Sequence, residues 1–215
     1  FRPGLSRNVV FVPVAINYDR VMEDRSLIEA QDAGTRAFRF SLWPIWRYLR
    51  RQIWHRMTGR FHRYGYAAVS FGDPLSLSDF LKEKHADAPT DLGTELMGRI
   101  ARVMPVTPVP LVAHALVEGV RSVVALEAVL RRRIAQAEAQ GIVLHIPRGD
   151  IPYTIEVGLR ALMERHHVTR AGDRLTVSPQ GDAFLAFYAA SIQHLVGERS
   201  VDLHMQDAKI LSTAT

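Results

Sequence analysis

Three groups of residues in this 215-residue sequence have types and spacings that could do chemistry. His145 and Asp150 stand five apart in the pattern H-x-x-x-x-D. Such a pair can present an imidazole as general base and a carboxylate that orients it, which is what activating a hydroxyl nucleophile requires. With 9 His and 12 Asp in the chain, about 0.5 matches to that spacing arise by chance. Pro147, between them, opposes the helical frame that would aim one side chain at the other. The pair reads as a loop histidine beside a turn. The neighbours His166 and His167 form the second group; no third ligand follows at metal spacing, so no metal site is expected. The absence of cysteine excludes disulfides, thiolate metal sites and thiol nucleophiles. No glycine cluster follows a strand and opens a helix, so no nucleotide cofactor is expected.

The third group is a block of cations and aromatics. The chain has 27 Lys+Arg against 22 Asp+Glu, net +5. Residues 33–72 hold eight of the arginines with no lysine and no acid, so the remainder of the chain is net −3. All three tryptophans, Trp43, Trp46 and Trp54, lie in this block. Leu42, Ile45, Leu49, Ile53 and Met57 step by three and four, which predicts a helix over residues 44–60 with Pro44 in its first turn and Gly59 at its stop. Arg47, Arg50 and Arg51 fall on another face, and the tryptophans flank the apolar stripe. That pattern suits an amphipathic helix packed on a core with its arginines in water, a helix lying in a lipid interface, or a nucleic-acid contact.

These groups need a scaffold. A composition of 47% hydrophobic and 23% charged residues is that of a globular chain, and no apolar run reaches the ~18 residues a membrane span needs. Residues 8–16 (NVVFVPVAI) read as a strand buried on both faces, in the manner of a parallel strand, with Pro13 marking a bulge or an end of pairing. Residues 66–71 (YAAVSF) read as a second strand, closed by the turn Gly72-Asp73-Pro74. Ser76 or Ser78 can cap a short helix after it. Residues 85–91 are polar and mark a boundary. Helices are then expected over 92–104, 111–119, 122–140 and 153–165, with Pro105, Pro108 and Pro110 breaking the chain between the first two and Gly141 stopping the third. Residues 167–177 read as a hairpin turning at Ala171-Gly172, and 179–196 as a closing helix. Helices, a hairpin and a closing helix could also describe a winged-helix-like nucleic-acid-binding module offering Arg160, Arg165, Arg170 and Arg174 to phosphates. Residues 92–196 are not strongly basic, which disfavours a nucleic-acid partner.

The run Phe11-Val12-Pro13-Val14-Ala15-Ile16-Asn17-Tyr18-Asp19-Arg20-Val21-Met22-Glu23 resembles the fourth sequence block of the glycerol-3-phosphate acyltransferases: an apolar strand with a central proline, then Tyr, then Val-Met-Glu. Residues 66–77 (YAAVSFGDPLSL) resemble the strand and Phe-Gly-acid-Pro turn that follow that block. The order of the later helices and hairpin, and a last helix bearing Tyr188 and His194, is similar to the C-terminal half of the bacterial membrane-bound enzyme. The resemblance implies transfer of a fatty acyl group from acyl-CoA or acyl carrier protein to the first hydroxyl of glycerol 3-phosphate. It implies no further cofactor. In that family the general base is the His of an H-x-x-x-x-D motif upstream of the fourth block, and His145 and Asp150 lie some 130 residues on the wrong side of it.

The resemblance therefore implies the C-terminal part of such an enzyme, with no catalytic residue in this chain and no activity by itself; a first residue Phe1 in place of methionine agrees with a piece of a longer product. The implied fold is α/β: residues 1–90 as the C-terminal part of the glycerolipid acyltransferase domain, 91–200 as a mainly helical domain with a small β-hairpin, and 201–215 as a tail. Val12, Pro13, Val14 and Tyr18 are the expected substrate-binding residues, and Glu23 could help shape the pocket. Trp43, Trp46, Arg47, Arg50, Arg51 and Trp54 are the expected contacts with an anionic membrane, at the cytoplasmic face as a peripheral protein. A lysophosphatidate or dihydroxyacetone-phosphate acyltransferase is the alternative within the class.

Overall fold

The structure, a computed structural model, describes residues 8–21, 24, 28, 65–82 and 87–197. The arginine and tryptophan segment, with Trp43, Trp46, Arg47, Arg50, Arg51 and Trp54, and the tail 201–215 lie outside the described residues, as does Glu23. The architecture mixes helix with small antiparallel sheets.

Strand β1 (Val10–Phe11) pairs with β4 (Leu75–Ser76), and β2 (Val14–Tyr18) pairs along its length with β3 (Ala67–Phe71), in register Val14↔Phe71, Ile16↔Val69 and Tyr18↔Ala67. Pro13 separates β1 from β2, as its missing N–H requires, and its carbonyl accepts a bond from Gly72 N at 2.8 Å. The expectation of a parallel-type strand buried on both faces is corrected. β2 is antiparallel to β3, and its residues alternate between exposed and buried. Hydropathy could not show this, because the larger apolar residues Val14 and Ile16 sit on the exposed parity while Ala15 and Asn17 sit on the buried one. Period 2 is visible only when the two faces differ in polarity.

The turn after β3 leads to α1 (Leu77–Phe80), whose N-cap is Ser76: its hydroxyl accepts from Asp79 N at 3.2 Å. Helix α2 (Ala88–Arg102) starts four residues before the expected position, with Pro89 in its first turn. The same chemistry corrects the reading of Pro108 and Pro110 as breakers. They open α3 (Pro108–Val117) at positions whose N–H groups have no intrahelical acceptor. Every residue from Pro108 to Leu116 is buried, so α3 is the axis of the helical region.

Around α3 pack α4 (Val123–Ala139), capped by Ser122, α5 (Ile151–Met163), capped by Asp150, and α6 (Gly181–Ala190). Gly158 lets α5 approach: a Cβ there would lie 2.6 Å from Val112 Cγ2 and 2.9 Å from the Pro108 carbonyl oxygen. The hairpin β5 (Val168–Ala171) and β6 (Arg174–Val177) turns at Gly172, φ +60°, and Asp173, one residue later than expected. Arg121 and Ser122 add a third, bridging segment, with Leu175 N bonded to the Arg121 carbonyl at 2.8 Å. Helix, bridge, two helices and hairpin thus follow one another along the chain.

The expected closing helix is two: α6 and α7 (Gln193–Val196) are separated at Ser191 and Ile192. Ser191 Oγ donates back to the Tyr188 carbonyl at 2.8 Å, a bond that competes with helix propagation, and Ile192 turns fully into the core.

Candidate functional site

Strand parity divides the segment 11–19 into two sets. Pro13, Ala15, Asn17 and Asp19 point inward and are buried; Val12, Val14, Ile16 and Tyr18 point outward and are exposed. Of the four expected substrate-binding residues, the structure thus groups Val12, Val14 and Tyr18 on one face and puts Pro13 on the other.

The inward set is tied to the helical region by polar groups that burial leaves no alternative partner. Asn17 Nδ2 donates to the Pro105 carbonyl at 2.9 Å and to Ser191 Oγ at 3.4 Å, while its Oδ1 accepts from Tyr18 N at 2.9 Å. Asp19, 1% exposed, accepts from Val109 N at 3.0 Å through Oδ1 and from Tyr66 N at 3.0 Å through Oδ2. Val109 lies in the first turn of α3, where Thr107 makes no side-chain cap bond, so Asp19 caps α3 from 90 residues away. Burial pushes the Asp19 carboxyl up from its ordinary value, against the downward pull of those two N–H groups. Gly65 makes the approach possible: its φ is +93°, and a Cβ would fall 2.7 Å from Asp19 Cβ. On β3, Ser70 Oγ bonds the Val103 carbonyl at the end of α2.

A second buried knot follows. Asp24, 2% exposed, accepts from Tyr188 Oη at 2.6 Å and pairs with Arg165; Tyr188 Oη accepts in turn from Val21 N at 3.3 Å. Burial, then the adjacent Asp24 carboxylate, raises the Tyr188 phenol well above its ordinary range, so it stays a donor.

The H-x-x-x-x-D residues are not brought together as a dyad. Asp150 Oδ1 accepts from Tyr153 N at 3.0 Å as the N-cap of α5, and the His145 ring lies against Tyr66 with centroids 4.5 Å apart. Between them Arg148, φ +60°, sets its guanidinium 4.1 Å above the Tyr153 ring. His167 stacks on Phe184 at 4.0 Å, and burial followed by Arg165 lowers its pKa.

Sequence reasoning missed three buried polar groups. Besides Asp19 and Asp24, the buried His114 of α3 and the buried Arg133 of α4 meet at Glu118, whose side chain is exposed: His114 Nδ1 lies 3.4 Å from Glu118 Oε1, and Arg133 pairs with Glu118. Burial, then Arg133, lowers the His114 pKa to about 4. The i, i+4 spacing of His114 and Glu118 was a readable signal; the burial of Arg133 on a charged helix was not. Among the described residues no helix is long and apolar enough to cross a membrane.

Residues 56–201 match the family described as glycerol-3-phosphate acyltransferase C-terminal region. The chain is 24% identical over 214 residues to a glycerol-3-phosphate acyltransferase of Xanthomonas campestris, covering 87% of this chain and 23% of the relative. It is 25% identical over 211 residues to that of Ectopseudomonas mendocina, covering 87% and 24%, and 28% identical over 131 residues to that of a Pseudomonas fluorescens strain, covering 53% and 14%. The chain thus spans about a quarter of the length of the Xanthomonas campestris and Ectopseudomonas mendocina relatives.

Proposed function

We propose that this chain, which belongs to the glycerol-3-phosphate acyltransferase C-terminal region family, is the C-terminal part of a glycerol-3-phosphate 1-O-acyltransferase of phospholipid synthesis. The observation that carries the reading is the family match over residues 56–201 together with relatives of that name. In the reaction, the first hydroxyl of glycerol 3-phosphate attacks the thioester carbonyl of acyl-CoA or acyl-carrier protein. The carbon–sulfur bond breaks, an ester forms, and the hydroxyl proton passes to a base while the thiol leaves. The H-x-x-x-x-D block supplying that base lies outside this chain, so the piece alone is inactive. His145 and Asp150 are not its substitute, because the Asp150 carboxylate is committed to the α5 N-terminus.

The described residues contribute a scaffold. Asn17, Asp19, Asp24 and Ser70 fasten the strand block to the helical region, which leaves Val12, Val14 and Tyr18 facing the substrates. Trp43, Trp46, Arg47, Arg50, Arg51 and Trp54 are proposed to rest on the anionic cytoplasmic membrane surface beside the lipid product. The winged-helix order of elements favours a nucleic-acid reading by shape alone. Its charge does not: the exposed residues of α5 include Pro152, Glu156 and Arg160, and the last two pair with each other.

The test is an acyl-transfer assay of the full-length protein with labelled acyl-CoA and, in parallel, acyl-carrier protein, offered glycerol 3-phosphate, lysophosphatidate or dihydroxyacetone phosphate. Labelled lysophosphatidate from glycerol 3-phosphate supports the reading. Preference for another acceptor replaces it with the alternative acyltransferase, and salt-sensitive duplex DNA binding without acyl transfer replaces it altogether.

A further inference from the structure

The turn that leads into α5 holds Arg148 at φ +60° and ψ +8°, in the left-handed region, and Gly149 follows at φ +65°. Glycine takes that conformation freely. An arginine is strained there, and such strain persists where the side chain's position has a use. The guanidinium lies 4.1 Å above the Tyr153 ring. Set over a ring, it keeps its N–H donors at its edges. Arg99, Arg131, Arg160 and Arg165 each pair with a carboxylate, whereas Arg148 is exposed and meets no acceptor among the described residues.

Two phenols and an imidazole gather beside it. Tyr66, the residue before β3, shares a hydrogen bond with the Tyr153 hydroxyl and feels the Arg148 charge. That bond uses one of the two hydroxyl hydrogens and leaves the other for a further acceptor. Partial burial, then the Tyr153 hydroxyl, pushes the Tyr66 phenol up from its ordinary value, so it stays a donor at neutral pH. His145 packs on Tyr66, and its Nε2 is buried with no hydrogen-bond partner among the described residues. The carboxylates of this region are committed elsewhere: Asp19 accepts from Val109 N and Tyr66 N, and Asp150 caps α5.

We propose that the Arg148 guanidinium and the Tyr66 and Tyr153 hydroxyls form a binding site for a phosphate ester. A forked cation beside hydroxyl donors, with no acid free to compete, suits a tetrahedral oxyanion. The site lies at the Tyr18 end of the β2–β3 ladder, since Tyr18 pairs with Ala67, next to Tyr66. It rests on the proposed function for the esters on offer. Glycerol 3-phosphate carries its phosphate close to the reacting hydroxyl, and acyl-CoA carries its phosphates many bonds from the thioester.

The test is amide hydrogen exchange over residues 144–153 of the purified full-length protein. Inorganic phosphate, glycerol 3-phosphate, CoA and dephospho-CoA are each compared with potassium chloride at matched ionic strength. Exchange at Gly149 and Asp150, whose amides bond only turn carbonyls, should slow at least about threefold with an ester and not with chloride. Arg148→Gly and Arg148→Asn both accept the left-handed backbone. They should need at least about tenfold more ester for the same protection while their urea midpoints stay near that of the wild type. Protection by glycerol 3-phosphate assigns the site to the acceptor; protection by CoA assigns it to the donor, and its loss with dephospho-CoA assigns it to the 3′-phosphate. No protection by any ester, equal protection by chloride, or protection unchanged in both variants overturns the proposal. So does a midpoint lowered in both variants, which makes Arg148 a strut of the fold. Acyl transfer is measured separately: protection without transfer keeps the site and removes the proposed activity, and transfer without protection does the reverse.

Discussion

His114 offers a prediction that can be worked from the structure. It lies on the axis helix α3, within its buried stretch Pro108–Leu116, beside Glu118 and near Arg133. Burial, then the Arg133 charge, lowers its pKa from 6.5 to about 4. A group whose folded pKa is depressed binds its proton more readily in the unfolded chain, so stability falls as pH falls through the window from 6.5 to about 4. Linkage over that gap amounts to about 2 kcal/mol lost by pH 5 and about 3 kcal/mol by pH 4, with almost none lost at pH 7. Replacing the imidazole by a neutral amide, His114→Gln, removes this dependence and leaves every other titrating group in place. Urea denaturation of both proteins at pH 7, 6 and 5 reads the effect. The wild-type advantage over His114→Gln should shrink by about 2 kcal/mol between pH 7 and pH 5. A difference that stays constant over that range, or an imidazole resonance titrating near 6.5 in the folded protein, would refute the reasoning.

Tyr188→Phe removes the donor to Asp24 and the acceptor of Val21 N while Arg165 stays in place; a loss of about 1 to 3 kcal/mol is expected by chemical denaturation. Gly158→Ala forces a methyl to 2.6 Å from Val112 Cγ2, so a destabilisation of about 1 to 3 kcal/mol is expected at this helix crossing, with little recovery unless Val112 is trimmed as well. Asp150→Ala should cost about 1 kcal/mol as a lost helix cap and leave the kcat of the full-length enzyme unchanged. A drop of several orders of magnitude in kcat with stability intact would put Asp150 in the chemistry. Asn17→Ala should cost about 1 to 3 kcal/mol by leaving the buried Pro105 carbonyl without its donor.

The legible parts of the sequence were those governed by local chemistry. Ser122 and Gly141 bounded α4 within a residue or two, Gly172 fixed the hairpin to within one position, and Pro13 ended a pairing as its missing N–H demands. Prolines were harder, because the same residue breaks a helix from inside and opens one from its first turn; Pro108 and Pro110 do the latter. The family was legible from residues 11–23 and 66–77, yet the face of the block was not. An almost wholly apolar strand gives no period-2 signal, and the partners of Asn17 and Asp19 lie 88 and 90 residues away. The break at Ser191 depends on a hydroxyl finding the Tyr188 carbonyl, a choice that periodicity does not record. The arginine and tryptophan segment falls outside the described residues, so its lipid contact stands as a proposal.

The most direct measurement sets the 215-residue chain beside the full-length polypeptide in one acyl-transfer assay with glycerol 3-phosphate and labelled acyl-CoA. The account predicts labelled lysophosphatidate from the full-length protein and none above background from the chain alone. Turnover by the chain itself would contradict it, because the base and its orienting acid would then lie among these residues, and Asp150 could not be serving only as the cap of α5.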